Sequence, residues 1–163
     1  MADLNDICRN SVAAAWTGSS LEAVQLDFDS AIPDITTDPE RLRTALVNIL
    51  ANARHAVEAV AVAHAGDFPV AVADPPSVSV RTVRAGDRVT VIIRDQGTGI
   101  GADDMAHIFD PYFTTRRAGT GLGLPISRNI IEGLGGTIRV HSTRGSGTEI
   151  SIDLPLTAPG ATA

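Results

Sequence analysis

Two asparagines, Asn48 and Asn52, lie four residues apart in an otherwise apolar stretch. Residues at positions i and i+4 share one face of an α-helix, so both amide groups would point the same way. Asparagine has poor propensity for a helix interior. Its amide oxygen can ligate a hard cation such as Mg²⁺, which prefers oxygen donors. The alternative is a pair of exposed polar residues, and the pair alone does not decide between the two.

A first glycine-rich segment, Asp95 to Gly101, directly follows a predicted strand that ends at Arg94. Its glycines allow the backbone to approach a ligand closely. A carboxylate at the strand end, that of Asp95, can accept a hydrogen bond from an exocyclic amine. The segment does not have the dinucleotide-binding pattern, since no βαβ unit follows it. An ordinary glycine-rich turn is the alternative.

A second glycine-rich segment, Gly119 to Leu124, leads into a predicted helix that begins at Pro125. Successive backbone amides that enter a helix N-terminus form a site for an anion such as phosphate. Arg116 and Arg117 precede the segment and can pair with phosphate oxygens. The lysine and Ser/Thr ending of a P-loop is missing. A turn that only initiates the helix is the alternative.

The segment from Ile108 to Thr115 holds Phe109, Tyr112 and Phe113, half of the six aromatic residues in the chain. This concentration predicts a loop whose aromatic side chains anchor a movable segment. A piece of ordinary core is the alternative.

Several helices and strands must position these segments. Periodicity and end signals predict helices at 3–16, at 39–60 with Asp38 as N-cap, at 103–108 and at 125–134. Alternation predicts strands at 24–28, 77–83, 88–94, 137–141 and 148–154, with a loop or short strand at 31–37. Residues 61–76 read as a helix end followed by a loop. The order of elements predicts an α/β two-layer sandwich.

Composition narrows the function classes. With 163 residues, of which 44% are hydrophobic, the chain is long enough for one domain with a real core. The single cysteine, Cys8, excludes an internal disulfide and a cysteine-based zinc site. A net charge of −6 without a basic cluster disfavours nucleic-acid binding. No apolar run long enough to span a membrane and no secretory signal are present, so we expect a cytoplasmic location without membrane contact by this segment.

Taken together and in this order, these segments resemble the ATP-binding catalytic domain of sensor histidine kinases. That domain belongs to a superfamily that includes DNA gyrase, heat-shock chaperone ATPases and mismatch-repair ATPases. The boxes of the family correspond to Asp38–Ala56 (asparagine box), Asp95–Gly101, Gly119–Leu124 and Gly145–Thr148 (glycine boxes), and Phe109–Thr115 (phenylalanine box). The resemblance implies a mixed, mostly antiparallel sheet with helices, and a nucleotide held between helices and a lid. It assigns residues 1–156 to the catalytic domain and 157–163 to a flexible tail.

The resemblance also implies roles at the base of ATP. Asp95 would accept the adenine N6 amine, and Thr148 would support that contact through a water. Ile100 would pack on the base, and Gly97 and Gly99 would let the backbone come close.

At the phosphates, the resemblance implies that Asn52 ligates Mg²⁺ with the assistance of Asn48. The amides of Gly121, Leu122, Gly123 and Leu124 would hold phosphate oxygens. Residues Thr114 to Thr120, which include Arg116, would form a short ATP lid. Two roles of His55 stay open. It would either reach the phosphates when protonated, or be a solvated helix residue.

Two departures from the family pattern define the expected reaction. Hydrolytic members carry a glutamate base where this chain has Asn48, and an amide cannot take a proton from water. ATP should therefore be held for transfer. None of His55, His64, His107 and His141 has the context of the phospho-accepting histidine. We therefore expect a monomeric fragment that does not autophosphorylate alone and acts on a histidine-bearing dimerisation domain, of the same protein or in trans, with a response regulator downstream.

Three other functions stay open at this point. The first is a stand-alone anti-sigma-type serine kinase, although Thr114-Thr115-Arg116 and the segment before Asp38 look more like a histidine kinase. The second is an ATP-driven clamp like gyrase, against which the missing glutamate counts. The third is a degenerate module that binds no nucleotide.

Overall fold

The computed structural model describes residues 1–18, 24–64, 77–116 and 119–157. These residues form a five-stranded sheet with helices packed on one of its faces, so the predicted α/β two-layer sandwich is confirmed. The helices are α1 (Leu4–Ala15), α2 (Pro39–His64), α3 (Ala102–Met105) and α4 (Gly123–Gly133). The strands are β1 (Val24–Phe28), β2 (Val78–Ala85), β3 (Arg88–Asp95), β4 (Thr137–Thr143) and β5 (Gly147–Pro155).

The sheet has the strand order β1-β2-β3-β5-β4. Strands β1 and β2 pair in parallel, and the other neighbours pair antiparallel, as expected for a mixed, mostly antiparallel sheet. The predicted hairpin of β2 and β3 is confirmed, with Ala85 opposite Arg88 across a two-residue turn. Gly86 has a positive φ of 64°, which such a turn requires and glycine adopts freely.

The core lies between the sheet and α2, which α1 and α4 flank. The predicted apolar stripe of α2 is confirmed, because Leu42, Leu46, Ile49 and Leu50 are all buried. The helix begins where its cap predicts. The carboxylate of Asp38 accepts hydrogen bonds from the amides of Glu40 and Arg41, each at 3.1 Å. The buried apolar face and the capped N-terminus of α2 together fix the position of the helix face that carries Asn48 and Asn52.

The start of α4 differs from the prediction. The helix begins at Gly123, two residues before Pro125. Proline is tolerated there because the amides of the first helical turn have no intrahelical acceptor, so the missing N–H of proline costs no hydrogen bond. Leu122 is the N-cap residue and makes no side-chain capping bond. The amides of the first turn are therefore open toward the segment that precedes the helix.

Two short segments differ in extent from their predictions. The short helix expected at 103–108 covers only Ala102–Met105, and segment 31–37 forms a single bridge between Ala2 and Ile35. The predictions for 65–76, for Arg117 and for the tail from residue 158 fall outside the described residues. Among the helices of the described ranges, none has both the length and the apolar character of a membrane span.

Candidate functional site

A cavity of about 850 Å³ lies between α2, the ends of β3 and β5, and the segment that connects α3 to α4. This volume is within the usual range for small-molecule sites, roughly 300–1,000 Å³. Most of the residues predicted to form a site line it: Asn48, Asn52, His55, Asp95, Gly99, Ile100, Arg116, Thr120, Gly121, Gly123, Leu124 and Thr148. Gly97 and Leu122 are not part of this lining, but Gly97 donates a hydrogen bond to Asp95 and Leu122 directly precedes Gly123.

One end of the cavity is the polar end of the sheet. The core-side faces of β3, β5 and β4 form cross-strand rows, and two of these rows are apolar: Val91–Ile152–Ile138 and Ile93–Ile150–Val140. The next row consists of Asp95, Thr148 and Ser142. The sequence predicted Asp95 and Thr148 but missed Ser142. The missed signal was the alternation of β4, which puts a serine where an apolar residue is expected.

The carboxylate of Asp95 is buried, with 6% of the residue exposed. Burial raises the pKa of this carboxyl, and hydrogen bonds from the amides of Gly97 and Thr148 act in the opposite direction. The Gly97 amide donates to Oδ1 at 2.9 Å. Asp95 forms no ion pair within the described part of the chain. A carboxylate held this way can accept a hydrogen bond from a neutral donor, such as an exocyclic amine.

Two glycines let the loop after β3 pack closely against its neighbours. A Cβ atom on Gly97 would lie 2.5 Å from the Cβ of Ala56 on α2. Gly99 has a φ of +67°, and a Cβ there would lie 2.0 Å from the carbonyl oxygen of Thr143. The Gly145 amide also donates to the Thr98 carbonyl at 2.7 Å. These contacts fix the wall of the cavity next to Asp95.

We expect Gly97→Ala to lower the free energy of unfolding by about 1–3 kcal/mol, because the new methyl group overlaps with both the side chain and the backbone of Ala56. Gly101→Ala is the matched control in the same loop. Gly101 has extended φ and ψ of −71° and 157°, and the nearest atom to an added Cβ is the end of the flexible Arg144 side chain. Urea unfolding measures both variants, and equal stability of the two would contradict this packing.

The opposite end of the cavity joins α2 to the N-terminus of α4. A Cβ atom on Gly123 would lie 3.9 Å from both the Cβ of Asn48 and the Nδ2 of Asn52. The uncapped first turn of α4 presents open amides and the positive end of its dipole, which favour an anion. The Oδ1 of Asn52 accepts a hydrogen bond from Arg116 at 3.2 Å, so this oxygen already has a cationic partner. The arrangement fits an anion such as phosphate at the N-terminus of α4.

The loop between α3 and α4 is closed at its base by the backbone. The Tyr112 amide donates to the Gly121 carbonyl at 2.9 Å, and both residues have positive φ, 67° and 69°. A Cβ on Gly121 would lie 2.4 Å from the carbonyl carbon of Tyr112. Such a conformation is strained for tyrosine. The residues that flank the predicted lid are thus held together.

The prediction that the aromatic side chains anchor this loop is wrong for Tyr112, because this residue is 76% exposed. Tyr112 contributes through its backbone instead. Phe109 is half-buried and lies below the guanidinium of Arg128, 5.1 Å from its ring centre. Phe113 lines the cavity and packs on the His107 ring with a centroid distance of 5.5 Å. Two of the three aromatic side chains and the backbone of the third therefore contact their surroundings.

His55 lies one turn after Asn52, and its ring contacts the guanidinium of Arg54, with Nε2 and Nη2 3.3 Å apart. Burial lowers the pKa of the imidazole first, and the positive charges of Arg116 and Arg54 lower it further. The carboxylate of Glu58 acts in the opposite direction without reversing the shift. The lowered pKa favours the neutral form of the imidazole in the free protein. A bound polyphosphate would counteract the two guanidinium charges.

We expect the affinity of the wild type for ATP, relative to that of His55→Gln, to rise as the pH falls from about 8 to about 6. Phosphate charges would raise the lowered pKa of His55, so binding takes up a proton, and proton uptake strengthens binding at lower pH. Each pKa unit gained on binding corresponds to at most about tenfold in affinity. Calorimetry across this pH range measures the affinities of the wild type and of His55→Gln. The protonation of ATP itself affects both proteins equally and cancels in the comparison. Equal slopes would leave His55 as a solvated helix residue.

Residues 37–158 match the family model of histidine kinase-, DNA gyrase B- and HSP90-like ATPases. The chain belongs to this family. The predicted resemblance is thereby confirmed, and membership implies that the domain binds ATP.

Relatives and solved structures agree with this assignment. The chain is 36% identical over 156 residues to the sensor histidine kinase ZraS of Escherichia coli O157:H7, covering 94% of this chain and 31% of that protein. The catalytic domain of the histidine kinase ThkA has a TM-score of 0.71 at 25% identity, with 94% of this chain and 93% of that chain covered. Full-length ShkA in complex with AMPPNP has a TM-score of 0.74 at 25% identity, with 98% and 31% covered. The chain spans about a third or less of the length of the curated relatives it matches.

Proposed function

We propose that residues 1–156 bind Mg-ATP in the cavity and hold its γ-phosphoryl group for transfer to a histidine. The acceptor would belong to a dimerisation domain, in the same protein or in trans, and a response regulator would receive the phosphoryl group next. This is the chemistry of two-component signalling in the cytoplasm, and the similarity to sensor histidine kinases such as ZraS supports it. In this proposal the isolated domain is a monomer that does not autophosphorylate.

The observation that carries the proposal is the absence of a carboxylate base near the phosphate end. Among the described residues that line the cavity, the carboxylates are Glu58 and Asp95. Glu58 pairs with Arg54 at 3.5 Å, beyond Asn52 along α2. Asp95 lies at the sheet end, where it accepts from Gly97. A neutral amide, that of Asn48, is the group one turn before Asn52, and it cannot remove a proton from water.

The proposed binding mode places the base at the sheet end and the phosphates at α4. The Asp95 carboxylate accepts from the adenine amine, with Thr148 next to it and Ile100 on the ring. Amides of residues 121–124 and the hydroxyl of Thr120 hold phosphate oxygens at the helix N-terminus. Each of these groups belongs to a residue that lines the cavity or directly precedes one that does, which supports the assignment.

Asn52 would hold Mg²⁺ through Oδ1, with Asn48 beside it. When bound, Mg²⁺ would neutralise negative charge between the phosphates. Arg116 would exchange its present contact with Asn52 for a phosphate oxygen, since a guanidinium pairs more strongly with an anion than with an amide. The chain thus contributes position and charge stabilisation, which is what phosphoryl transfer requires.

The test is phosphorylation of a supplied histidine. The chain is incubated with γ-labelled Mg-ATP and a histidine-containing dimerisation domain from a related sensor kinase, with the histidine-to-alanine form of that domain as control. We expect an acid-labile, alkali-stable label on the domain that carries the histidine and none on the control. An acid-stable label on serine would instead indicate the serine-kinase alternative.

A further inference from the structure

The hydroxyl group of Ser142 connects three parts of the cavity wall. Its Oγ accepts a hydrogen bond from the Ile100 amide at 2.8 Å. It donates to the Gly147 carbonyl oxygen, which lies at 2.9 Å. The Oγ1 of Thr148, its partner across β4 and β5, lies only 2.7 Å away. Ser142 does not line the cavity itself, but two of its partners, Ile100 and Thr148, do.

Counting protons assigns the direction of these hydrogen bonds. A serine hydroxyl has one proton and two lone pairs. If Ser142 donates to Gly147 and accepts from Ile100, its second lone pair is free to accept the proton of Thr148. All three close contacts are then hydrogen bonds. If Ser142 donated to Thr148 instead, two oxygens 2.9 Å apart, those of Ser142 and Gly147, would face each other without a proton between them.

The first arrangement turns Thr148 into an acceptor. Its proton points back to Ser142, so its lone pairs are presented to the cavity. The neighbouring group in the same row is the Asp95 carboxylate, which is also an acceptor. A group at position 6 of a purine would therefore meet two acceptors in this row, those of Asp95 and Thr148. Adenine has a donor amine at the position where guanine has the O6 acceptor.

We propose that Ser142 is a positioning residue for base selectivity. It keeps the Thr148 hydroxyl in the acceptor state and holds the Ile100 backbone against the base, and both effects favour ATP over GTP. This inference rests on the proposed binding of the adenine base next to Asp95.

The test compares the affinities of the chain for ATP and GTP with Mg²⁺ by competition against a fluorescent ATP analogue. In Ser142→Ala the proton of Thr148 loses its acceptor, so the hydroxyl is free to rotate and donate to O6. We expect the ratio of ATP to GTP affinity to fall about 3- to 10-fold, the scale of one hydrogen bond. Ser142→Thr keeps the hydroxyl and should restore the ratio.

Ser151→Ala is the matched control, because Ser151 lies on β5 at a position that alternates with the core-side residues Ile150 and Ile152. It should leave the ratio unchanged. A purely structural role of Ser142 predicts that Ser142→Ala weakens ATP and GTP binding equally, and that result would overturn the proposal. Should Ser142→Ala not fold, Thr148→Val decides, since it replaces the Thr148 hydroxyl, and with it the acceptor, by a methyl group of similar size. An unchanged ratio in folded Thr148→Val would also overturn the proposal.

Different results would contradict the proposed function and the role of Ser142. Absence of ATP binding by the wild-type chain contradicts the proposed function. Tight ATP binding with a selectivity that does not depend on Ser142 contradicts only the role of Ser142. A double-mutant cycle adds a further check, because Ser142→Ala should change the ratio little once Thr148 is already valine.

Discussion

Asp95→Asn is expected to lower the affinity for ATP and ADP alike, by about 10- to 150-fold. The variant replaces one of two acceptor oxygens by an NH₂ group, which would face the donor amine of adenine. Loss of a hydrogen bond to a charged group costs about 1.5–3 kcal/mol, which gives this range. Calorimetry with both nucleotides measures the effect. Asp87→Asn, in the exposed turn between β2 and β3, is the control that should bind normally. Unchanged binding in Asp95→Asn would show that the base lies elsewhere.

The same variant should not lose stability. Burial raises the pKa of Asp95, so its ionisation opposes folding at neutral pH. A carboxyl with a raised pKa in the folded state makes the wild type more stable as the pH falls through that pKa. The Oδ1 of an asparagine can still accept from the Gly97 amide, whereas its NH₂ group cannot accept from the Thr148 amide, which offsets part of this gain. We therefore expect the melting temperature of Asp95→Asn to equal or exceed that of the wild type at pH 7, with a gap that narrows toward acid pH.

Asn52→Ala is expected to remove most of the contribution of Mg²⁺ to ATP affinity. Asn52 is the residue proposed to supply a protein oxygen to the metal, so its loss should weaken Mg-ATP binding by at least about tenfold. Binding of metal-free ATP should change much less, because the base end and the α4 amides are untouched.

Calorimetry with Mg²⁺ and with a chelator separates the two contributions. Asn129→Ala, an exposed asparagine on α4, controls for removal of the amide group as such. Equal losses of Mg-ATP and metal-free ATP binding in Asn52→Ala would contradict the metal assignment.

Elements with strong local signals could be predicted from the sequence. The cap of Asp38 and the stripe from Leu42 onward determined α2, and the Gly86 turn determined the hairpin of β2 and β3. The position of β5 between β3 and β4 had no local signal, because it depends on pairing between distant segments. The start of α4 was placed two residues late, since proline at a third helical position gives no boundary signal.

In the candidate site, too, contiguous segments could be predicted and contacts between distant segments could not. Asp95 and the glycine-rich segments are contiguous in sequence, so their types and order predicted where a ligand would bind. Ser142 was missed because its importance comes from its register opposite Thr148. The contact between Arg116 and Asn52 joins residues 64 positions apart, and no local pattern indicates it.

The central claim is that the domain holds Mg-ATP without hydrolysing it. The most direct measurement is a calorimetric titration of the chain with ATP, with Mg²⁺ and with a chelator, followed by assay of released phosphate in the same sample. We expect binding that is stronger with Mg²⁺ and negligible phosphate release. Binding accompanied by steady hydrolysis would contradict the claim and indicate a clamp-type ATPase. Absence of binding would contradict it as well and indicate a degenerate module.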